Sequence, residues 1–205
     1  MSPTAISRHD TLQLHLLVLR CQAGDERAFA ALLDRFGDAT RGYLQGLVGD
    51  AADDVQQEVW LTVYQKLAQL TDPRAFRTWL YRTTRHRALD YLRGERRERE
   101  LFVDDTDADV PDPGTDDTAG AALDTELLAD AIAALGPLHR EALLLRYRDG
   151  LSYAEIAVVV GCSLGTVRSR IHYARQHLRD AIAGPSDSRR TTGAATPTSF
   201  TRGQS

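Results

Sequence analysis

The apolar positions in the first half of the chain recur at the spacing of α-helices, with three short breaks. The breaks lie at Gly24-Asp25, Gly49-Asp50 and Thr71-Asp72-Pro73, where glycine can end a helix and aspartate or proline can begin the next. Between them the apolar residues fall on single helix faces. These faces are Phe29, Leu32, Leu33 and Phe36; Val55, Val59, Val63 and Leu67; and Phe76, Leu80, Thr84, Ala88 and Tyr91, with Trp79 and Leu92 beside them. The pattern predicts a bundle of about four helices over residues 12–99.

A second helical pattern covers residues 123–183. Gly136-Pro137 and Asp149-Gly150 divide its first part into two helices. The apolar residues that support these helices are Leu123, Leu127, Leu128 and Leu135 in the first, and Leu138, Ala142, Leu145 and Tyr147 in the second. The pattern therefore predicts a second all-α domain.

The end of this domain has the pattern of a helix-turn-helix. Ser152 and Glu155 have the spacing of a capping box, and Gly161-Cys162-Ser163 supplies a turn followed by a second N-cap. The next helix has one buried stripe, formed by Val167, Ile171, Ala174 and Leu178. A short helix, a glycine turn and a second helix with a basic outer side are typical of a motif that places its second helix in a DNA major groove.

The stripe determines which residues of the second helix face outward. We expect Thr166, Ser169, Arg170 and Tyr173 on the outer side, with Arg168, His172 and Arg175 flanking them. The pattern alone leaves an alternative open, an ordinary helical hairpin whose arginines are merely solvated.

Charge separates the two domains. The 205-residue chain has a net charge of −4, but residues 74–99 hold nine arginines and three acids, whereas residues 101–130 hold ten acids and no base. We predict an acidic flexible linker over 101–122 and a disordered tail over 184–205, because neither segment has enough large apolar residues to cover a core.

The composition also excludes several classes of protein. No apolar run approaches the roughly 18 residues of a membrane span, and residues 1–10 lack a secretory pattern, so we expect a soluble, cytoplasmic protein. Cys21 and Cys162 are isolated, which excludes a zinc ribbon and a disulfide scaffold.

Two surfaces carry candidate chemistry. Asp54, Gln57 and Glu58 lie at i, i+3 and i+4 of one helix and form an acidic patch, which on charge pattern alone is more simply a solvated face. Downstream, aromatic residues alternate with arginines, a combination that can stack on unpaired bases and neutralise phosphates. For Phe76 and Trp79, packing in the bundle core explains the pattern equally well.

Several strings, taken in order, resemble the extracytoplasmic-function sigma factors (ECF, group IV) of bacterial RNA polymerase. They are ADDVQQEVW over residues 52–60, FRTWLYR over 76–82, DYLR over 90–93, LSYAEIA over 151–157 and GTVRSR over 165–170. The sequence differs from the family at His86, where Asn is usual, at Arg87, where an apolar residue is usual, and at Tyr173, where a basic residue is common. The resemblance implies an all-α protein with sigma region 2 at 12–99 and sigma region 4 at 123–183.

The resemblance also implies roles for individual residues. Region 2 is expected to bind core RNA polymerase at the clamp helices of its largest subunit and to recognise and melt the −10 element. Region 4 is expected to bind the −35 element and the flap of the second-largest subunit. The implied polymerase-binding residues are Asp53, Asp54, Gln57 and Glu58. The implied −10 and melting residues are Asp72, Arg74, Phe76, Arg77, Trp79, Tyr81, Arg82, Arg85, His86 and Arg93, and the implied −35 residues are Thr166, Arg168, Ser169, Arg170, Tyr173 and Arg175.

The same sequence patterns suggest one further binding partner and bear on two alternative classes of protein. An anti-sigma factor is a further candidate partner, and we expect no membrane insertion, no cofactor, no metal and no enzymatic activity. A helical-bundle metalloenzyme is disfavoured because the Glu-x-x-His pairs of such proteins are absent. A helix-turn-helix regulator with a sensory or partner-binding N-terminal domain stays open, although it leaves the basic aromatic helix unexplained.

Overall fold

The computed structural model describes residues 8–102 and 123–183, and all the helices predicted from the apolar pattern are present. The first four helices are α1 (Arg8–Gln22), α2 (Glu26–Val48), α3 (Ala52–Lys66) and α4 (Phe76–Phe102). The last four are α5 (Leu123–Ala133), α6 (Pro137–Tyr147), α7 (Tyr153–Val160) and α8 (Leu164–Ala183). The described residues form no β-strand, which agrees with the predicted all-α fold.

The helix ends follow the expected capping chemistry. The Asp25 side chain accepts hydrogen bonds from the backbone N–H groups of Arg27 and Ala28 and begins α2. Ser152 and Glu155 form both hydrogen bonds of the predicted capping box at the start of α7. Gly161 ends α7 with φ of +71°, a conformation that favours glycine. Local sequence therefore sets the lengths of these helices.

The core of the first bundle is built from the predicted faces of α2, α3 and α4. Val55, Val59, Val63 and Leu67 are buried, and the Phe36 and Phe76 rings meet edge to face with centroids 5.6 Å apart. In the second unit, α8 packs on α5, α6 and α7 through Val167, Ile171 and Ala174, which are buried.

Some predicted core positions lie on the surface instead. Among the α5 residues whose burial is described, only Ala131 is buried, and Leu135, two residues after the end of the helix, is buried as well. The helix packs mainly against α8. The exposed positions that the apolar pattern had assigned to helix faces or beside them are Leu33, Tyr91, Leu92, Leu127, Leu128, Leu138 and Tyr147. Helix α4 also continues to Phe102, past the predicted boundary at residue 99. The rest of the predicted linker, residues 103–122, and the predicted tail, 184–205, lie outside the described residues.

The two units pack against each other. Helix α4 of the first bundle lies against α7, and α2 contacts α6. One apolar cluster includes Tyr43 and Tyr81 from the first unit together with Ile156 and Val159 from the second. The surface of α4 that the sequence assigned to nucleic acid is therefore partly covered by the second unit.

Candidate nucleic-acid and polymerase interfaces

The acidic patch of α3 is exposed, as its spacing predicted. Asp54, Gln57 and Glu58 all lie at the surface of the helix. Asp53 differs from them, because Arg41 of α2 donates two hydrogen bonds to its carboxylate, at 2.6 and 2.9 Å. This pairing lowers the pKa of the Asp53 carboxyl. Asp53 thus links α3 to α2 through an ion pair at the edge of the patch, and the charge of Arg41 largely compensates its own.

The patch continues along α3 into two apolar residues that sequence reasoning missed. Leu61 and Tyr64 are both exposed, and they lie four and seven residues after Gln57, on the same side of the helix as that residue. The Tyr64 ring meets Phe29 edge to face at 5.2 Å between centroids. The sequence could have indicated them, because they are large apolar residues of α3 that lie outside the buried stripe of valines. The exposed face of α3 is therefore half acidic and half apolar.

The loop before α4 is held in a defined shape. Asp72 accepts hydrogen bonds from the backbone N–H and the Nε of Arg74, at 2.9 and 3.0 Å, and these bonds lower the pKa of the Asp72 carboxyl. Gln22 of α1 donates to the carbonyls of Leu67 and Leu70 at 3.0 and 2.7 Å. Gln22 is a positioning residue that no sequence motif indicated. Arg74 remains exposed at the tip of the loop.

The candidate −10 residues on α4 fall into three groups: residues exposed to solvent, residues packed in the first bundle, and residues that face the second unit. Arg82, His86 and Arg93 are exposed, and Arg93 bridges Asp90 at 2.8 Å. Trp79 is half-buried. Phe76 is completely buried in the core of the first bundle, where it packs on Phe36 and Trp79, so in this structure it has no surface on which a base could stack. Of the two interpretations that the sequence allows for Phe76, this burial supports packing in the bundle core.

The third group, Arg77, Tyr81 and Arg85, faces the second unit. Tyr81 is only 1% exposed, so it too is unavailable to a base in this arrangement. Arg85 Nε donates to Glu141 Oε1 at 2.8 Å, and Arg77 donates to the backbone carbonyls of Asp149 and Gly150. Three residues that were predicted to contact DNA are therefore in contact with the second unit in this structure.

The departure at Arg87 has a structural role. Both Nε and Nη2 of Arg87 lie within hydrogen-bond distance of Thr62 Oγ1 on α3, at 3.1 and 2.9 Å, and Thr62 in turn donates to the Glu58 carbonyl at 2.7 Å. Arg87 therefore ties α4 to α3, which is how this chain accommodates a charged residue at a usually apolar position.

Helix α8 presents its basic side to solvent. Arg168, Ser169 and Arg175 are exposed, while Thr166 and Arg170 are half-buried. Ser163 caps the helix by accepting from the Thr166 backbone N–H at 3.1 Å. Val167, Ile171 and Ala174 of the predicted stripe are buried and Leu178 is half-buried, so the opposite side of α8 faces solvent. The assignment of these residues to a DNA groove stays a prediction.

Tyr173 is a predicted DNA contact at which the sequence differs from the family, and its ring also makes a contact within the second unit. Its ring lies 4.5 Å from the His139 ring of α6, centroid to centroid, and the side chain remains exposed. The structure thus places Tyr173 at the edge of the outer face and against α6.

The described residues show no group of three or more His, Cys, Asp and Glu side chains able to hold a metal ion. Within the same part of the chain, no helix is long and apolar enough to cross a membrane.

Comparison with known proteins supplies independent evidence. The family model described as Sigma-70 region 2 matches residues 32–98, and the model described as Sigma-70, region 4 matches residues 125–178. The chain is 36% identical over 177 residues to the ECF RNA polymerase sigma-E factor of Haemophilus influenzae, covering 81% of this chain and 93% of that protein. It is 37% identical over 160 residues to the ECF RNA polymerase sigma factor SigL of Mycobacterium tuberculosis, covering 77% and 90%.

Solved structures agree with the sequence comparison. CnrH, in its complex with the cytosolic domain of CnrY, aligns with a TM-score of 0.57 at 26% identity, covering 81% of this chain and 94% of that one. The sigma factor RpoE of Bartonella quintana, in a co-crystal structure with the anti-sigma factor NepR, shares the fold with a TM-score of 0.60 at 24% identity, covering 76% and 96%.

Proposed function

The chain belongs to the extracytoplasmic-function sigma factors of bacterial RNA polymerase, and from this membership we propose that it binds core RNA polymerase in the cytoplasm and directs initiation at specific promoters. The observation that carries the proposal is the ordered match of region 2 and region 4 to the two helical units. The alternative of a regulator with a sensory N-terminal domain is disfavoured, because the region 2 match covers most of that bundle. Members of the family are transcription initiation factors and not enzymes.

The division of labour follows the two units. We assign polymerase binding and −10 recognition to residues 12–99 and −35 recognition to residues 123–183, with the acidic segment 101–122 as the connection. The two matched regions, 32–98 and 125–178, support these boundaries because each lies inside one unit. In this assignment the second unit also contacts the flap of the second-largest polymerase subunit.

The polymerase-binding surface in this proposal is the exposed face of α3. Asp54, Gln57 and Glu58 supply the acidic half, and Leu61 and Tyr64 supply an apolar half. A partner that presents basic residues beside an apolar strip would satisfy both halves, since charge steers association and buried apolar area holds the complex. The clamp helices of the largest polymerase subunit are the expected partner, and Asp53 acts as a positioning residue.

The promoter-binding surfaces are the loop at Asp72 and Arg74, the exposed side of α4 and the outer side of α8. On α4 the proposed contacts are the exposed Arg82, His86 and Arg93 and the half-buried Trp79. On α8 they are the exposed Arg168, Ser169, Tyr173 and Arg175 and the half-buried Thr166 and Arg170. Arginines that reach phosphates supply affinity, whereas those that reach base edges supply sequence preference. An anti-sigma factor is the remaining proposed partner, because the structurally similar RpoE of Bartonella quintana is in complex with the anti-sigma factor NepR.

The decisive experiment reverses charge on α3. We expect Asp54→Arg combined with Glu58→Arg to abolish capture of core polymerase and run-off transcription, because two attractive contacts with a basic partner become repulsive. Thermal unfolding should be nearly unchanged, since exposed charges contribute little to stability.

The matched control is Asp34→Arg combined with Asp38→Arg on α2, an exposed pair with the same spacing. This control should retain core binding. Equal core affinity for the wild type and the α3 variant, at unchanged helicity, contradicts the assignment of this face.

A further inference from the structure

A pair of aromatic rings joins the outer face of α8 to α6. The Tyr173 ring lies 4.5 Å from the His139 ring, centroid to centroid, with 37° between the ring planes. Tyr173 is 54% exposed, whereas His139 is half-buried. This distance is short enough for a favourable aromatic contact. The less exposed imidazole therefore supports one side of a tyrosine that stays open to solvent.

The position of His139 is set by the helix that carries it. His139 lies in the first turn of α6, and its backbone N–H donates to the Gly136 carbonyl at 3.0 Å. Helix α6 packs on α8 and contributes the buried Ala142 and Leu145 to the core of the second unit. Because this helix is anchored in the core, its imidazole is a fixed support for the ring of Tyr173.

Tyr173 lies at the end of the row of residues that we predict to read base edges. Arg170 and Ser169 precede it by three and four positions, and Thr166 precedes it by seven. Residues at these spacings share one side of a helix. Tyr173 is also the position in this row where the sequence differs from the family, in which a basic residue is common. Base preference at the contact made by this residue should therefore differ as well.

Tyrosine and arginine make different contacts in a major groove. The guanidinium group of arginine can donate two hydrogen bonds, to O6 and N7 of guanine. A tyrosine hydroxyl has a single O–H and cannot form that fork. Its ring offers apolar surface instead, which suits the C5-methyl group of thymine. A tyrosine at this position consequently favours thymine over guanine.

We propose that Tyr173 selects thymine at one position of the −35 element and that His139 is the positioning residue that holds the tyrosine ring for this contact. This inference rests on the proposed function. Because the imidazole already supports the ring in the free chain, less side-chain freedom is lost when the ring enters the groove. His139 acts on base preference through Tyr173 and makes no DNA contact of its own.

The first test changes the tyrosine. In a promoter-library selection with core polymerase, Tyr173→Arg should move the preference at one position from thymine to guanine by about tenfold, because the arginine gains the bidentate contact. Tyr173→Phe keeps the ring and should retain thymine. The inference is overturned if Tyr173→Arg changes the preference at no position, or if the wild type already selects guanine at the position that changes.

The second test removes or replaces the support. His139→Ala should weaken the preference for thymine at that same position about threefold, since the unsupported ring must be ordered on binding. His139→Phe restores an aromatic surface that carries no charge, so it should rescue the preference. A phosphate contact by the imidazole would give a different result, in which both variants weaken all sequences evenly and lower the salt slope. That result, or a loss of the thymine preference in both variants, overturns the role of His139.

The matched control is Leu138→Ala, which truncates the exposed neighbour of His139 on α6. It should leave the preference at every position within about twofold of the wild type, because surface substitutions of this kind have small effects. Thermal unfolding of the full chain reports whether either variant disturbs the second unit. An equal loss of preference in Leu138→Ala and His139→Ala indicates general damage to α6 and overturns the inference.

Run-off transcription separates failure of this inference from failure of the proposed function. A wild-type chain that initiates with core polymerase, but whose base preference responds to neither Tyr173→Arg nor His139→Ala, keeps the sigma-factor function and overturns the inference alone. A wild-type chain that initiates at no promoter of the library overturns both.

Discussion

Phe76 offers a sharp test of whether burial or sequence motif defines the DNA-contacting residues of α4. It lies in a string that resembles the family's −10 region, yet it is completely buried against Phe36 and Trp79. If burial decides, removing the ring should damage folding, and a smaller apolar side chain should preserve function. If the motif decides, the two substitutions should both abolish promoter opening.

The magnitudes follow from the packing. Phe76→Ala deletes a fully buried ring and one edge-to-face contact, which costs about 3–5 kcal/mol. For a bundle of this size, each kcal/mol lowers the melting temperature by about 4–8 °C, so we expect a loss of more than about 12 °C. Phe76→Leu keeps most of the apolar volume and should cost roughly 1 kcal/mol.

The assay combines unfolding with promoter opening. Urea and thermal unfolding of the full chain report stability, and permanganate reactivity of unpaired thymines reports opening in the complex with core polymerase. Phe76→Leu should retain opening close to the wild-type level. Trp79→Ala, at a half-buried position beside it, should reduce opening more than stability. A Phe76→Leu protein that unfolds like the wild type but opens no promoter would refute the reasoning from burial.

Three further predictions concern other parts of the chain. Ser152→Ala removes one half of the α7 capping box and should destabilise the second unit by about 1 kcal/mol in urea unfolding, whereas Ser152→Asp should not. Arg170→Ala should relax preference at one or two −35 positions in a promoter-library selection. Arg175→Ala should instead weaken all sequences evenly and lower the salt slope by about one. Burial raises the pKa of Tyr43 and Tyr81 above the usual 10, and the charge of Glu141 raises that of Tyr43 further. Their packing therefore stabilises the contact between the two units below pH 10, and this stability is lost as the pH rises through the raised pKa values. Tyrosinate absorbance should appear together with separation of the units.

Local signals explain how much of the fold could be predicted from the sequence. The Ser152 capping box, the Gly161 turn and the stripe through Val167 each depend on neighbours within a few residues, and all three have the predicted geometry. Helix spacing likewise placed the acidic patch on α3 correctly at the surface. These features follow from backbone geometry and helical periodicity, which a single sequence displays directly.

The contact between the units could not be predicted in the same way. Tyr43 and Glu141 are 98 positions apart in sequence, and neither belongs to a periodic apolar stripe. A glutamate on a helix is ordinarily a solvated residue, so its burial depends on an arginine that reaches it from another helix. The same reason explains Tyr81, whose position in an aromatic and basic string indicated nucleic acid. Its burial is caused by a partner surface that periodicity does not reveal.

The position of α3 bears on the order in which polymerase binding and separation of the two packed units can occur. Helix α3 packs mainly on α2 and α4 within the first bundle, and its acidic and apolar face is exposed while the units are together. Core polymerase can therefore engage Asp54 and Glu58 while Glu141 is still paired with Arg85. A ligand shifts such an equilibrium only by its differential affinity for the two states. Contacts to α3 alone, which are equally available in both states, cannot open the chain, so opening must come from contacts that only the separated units can make.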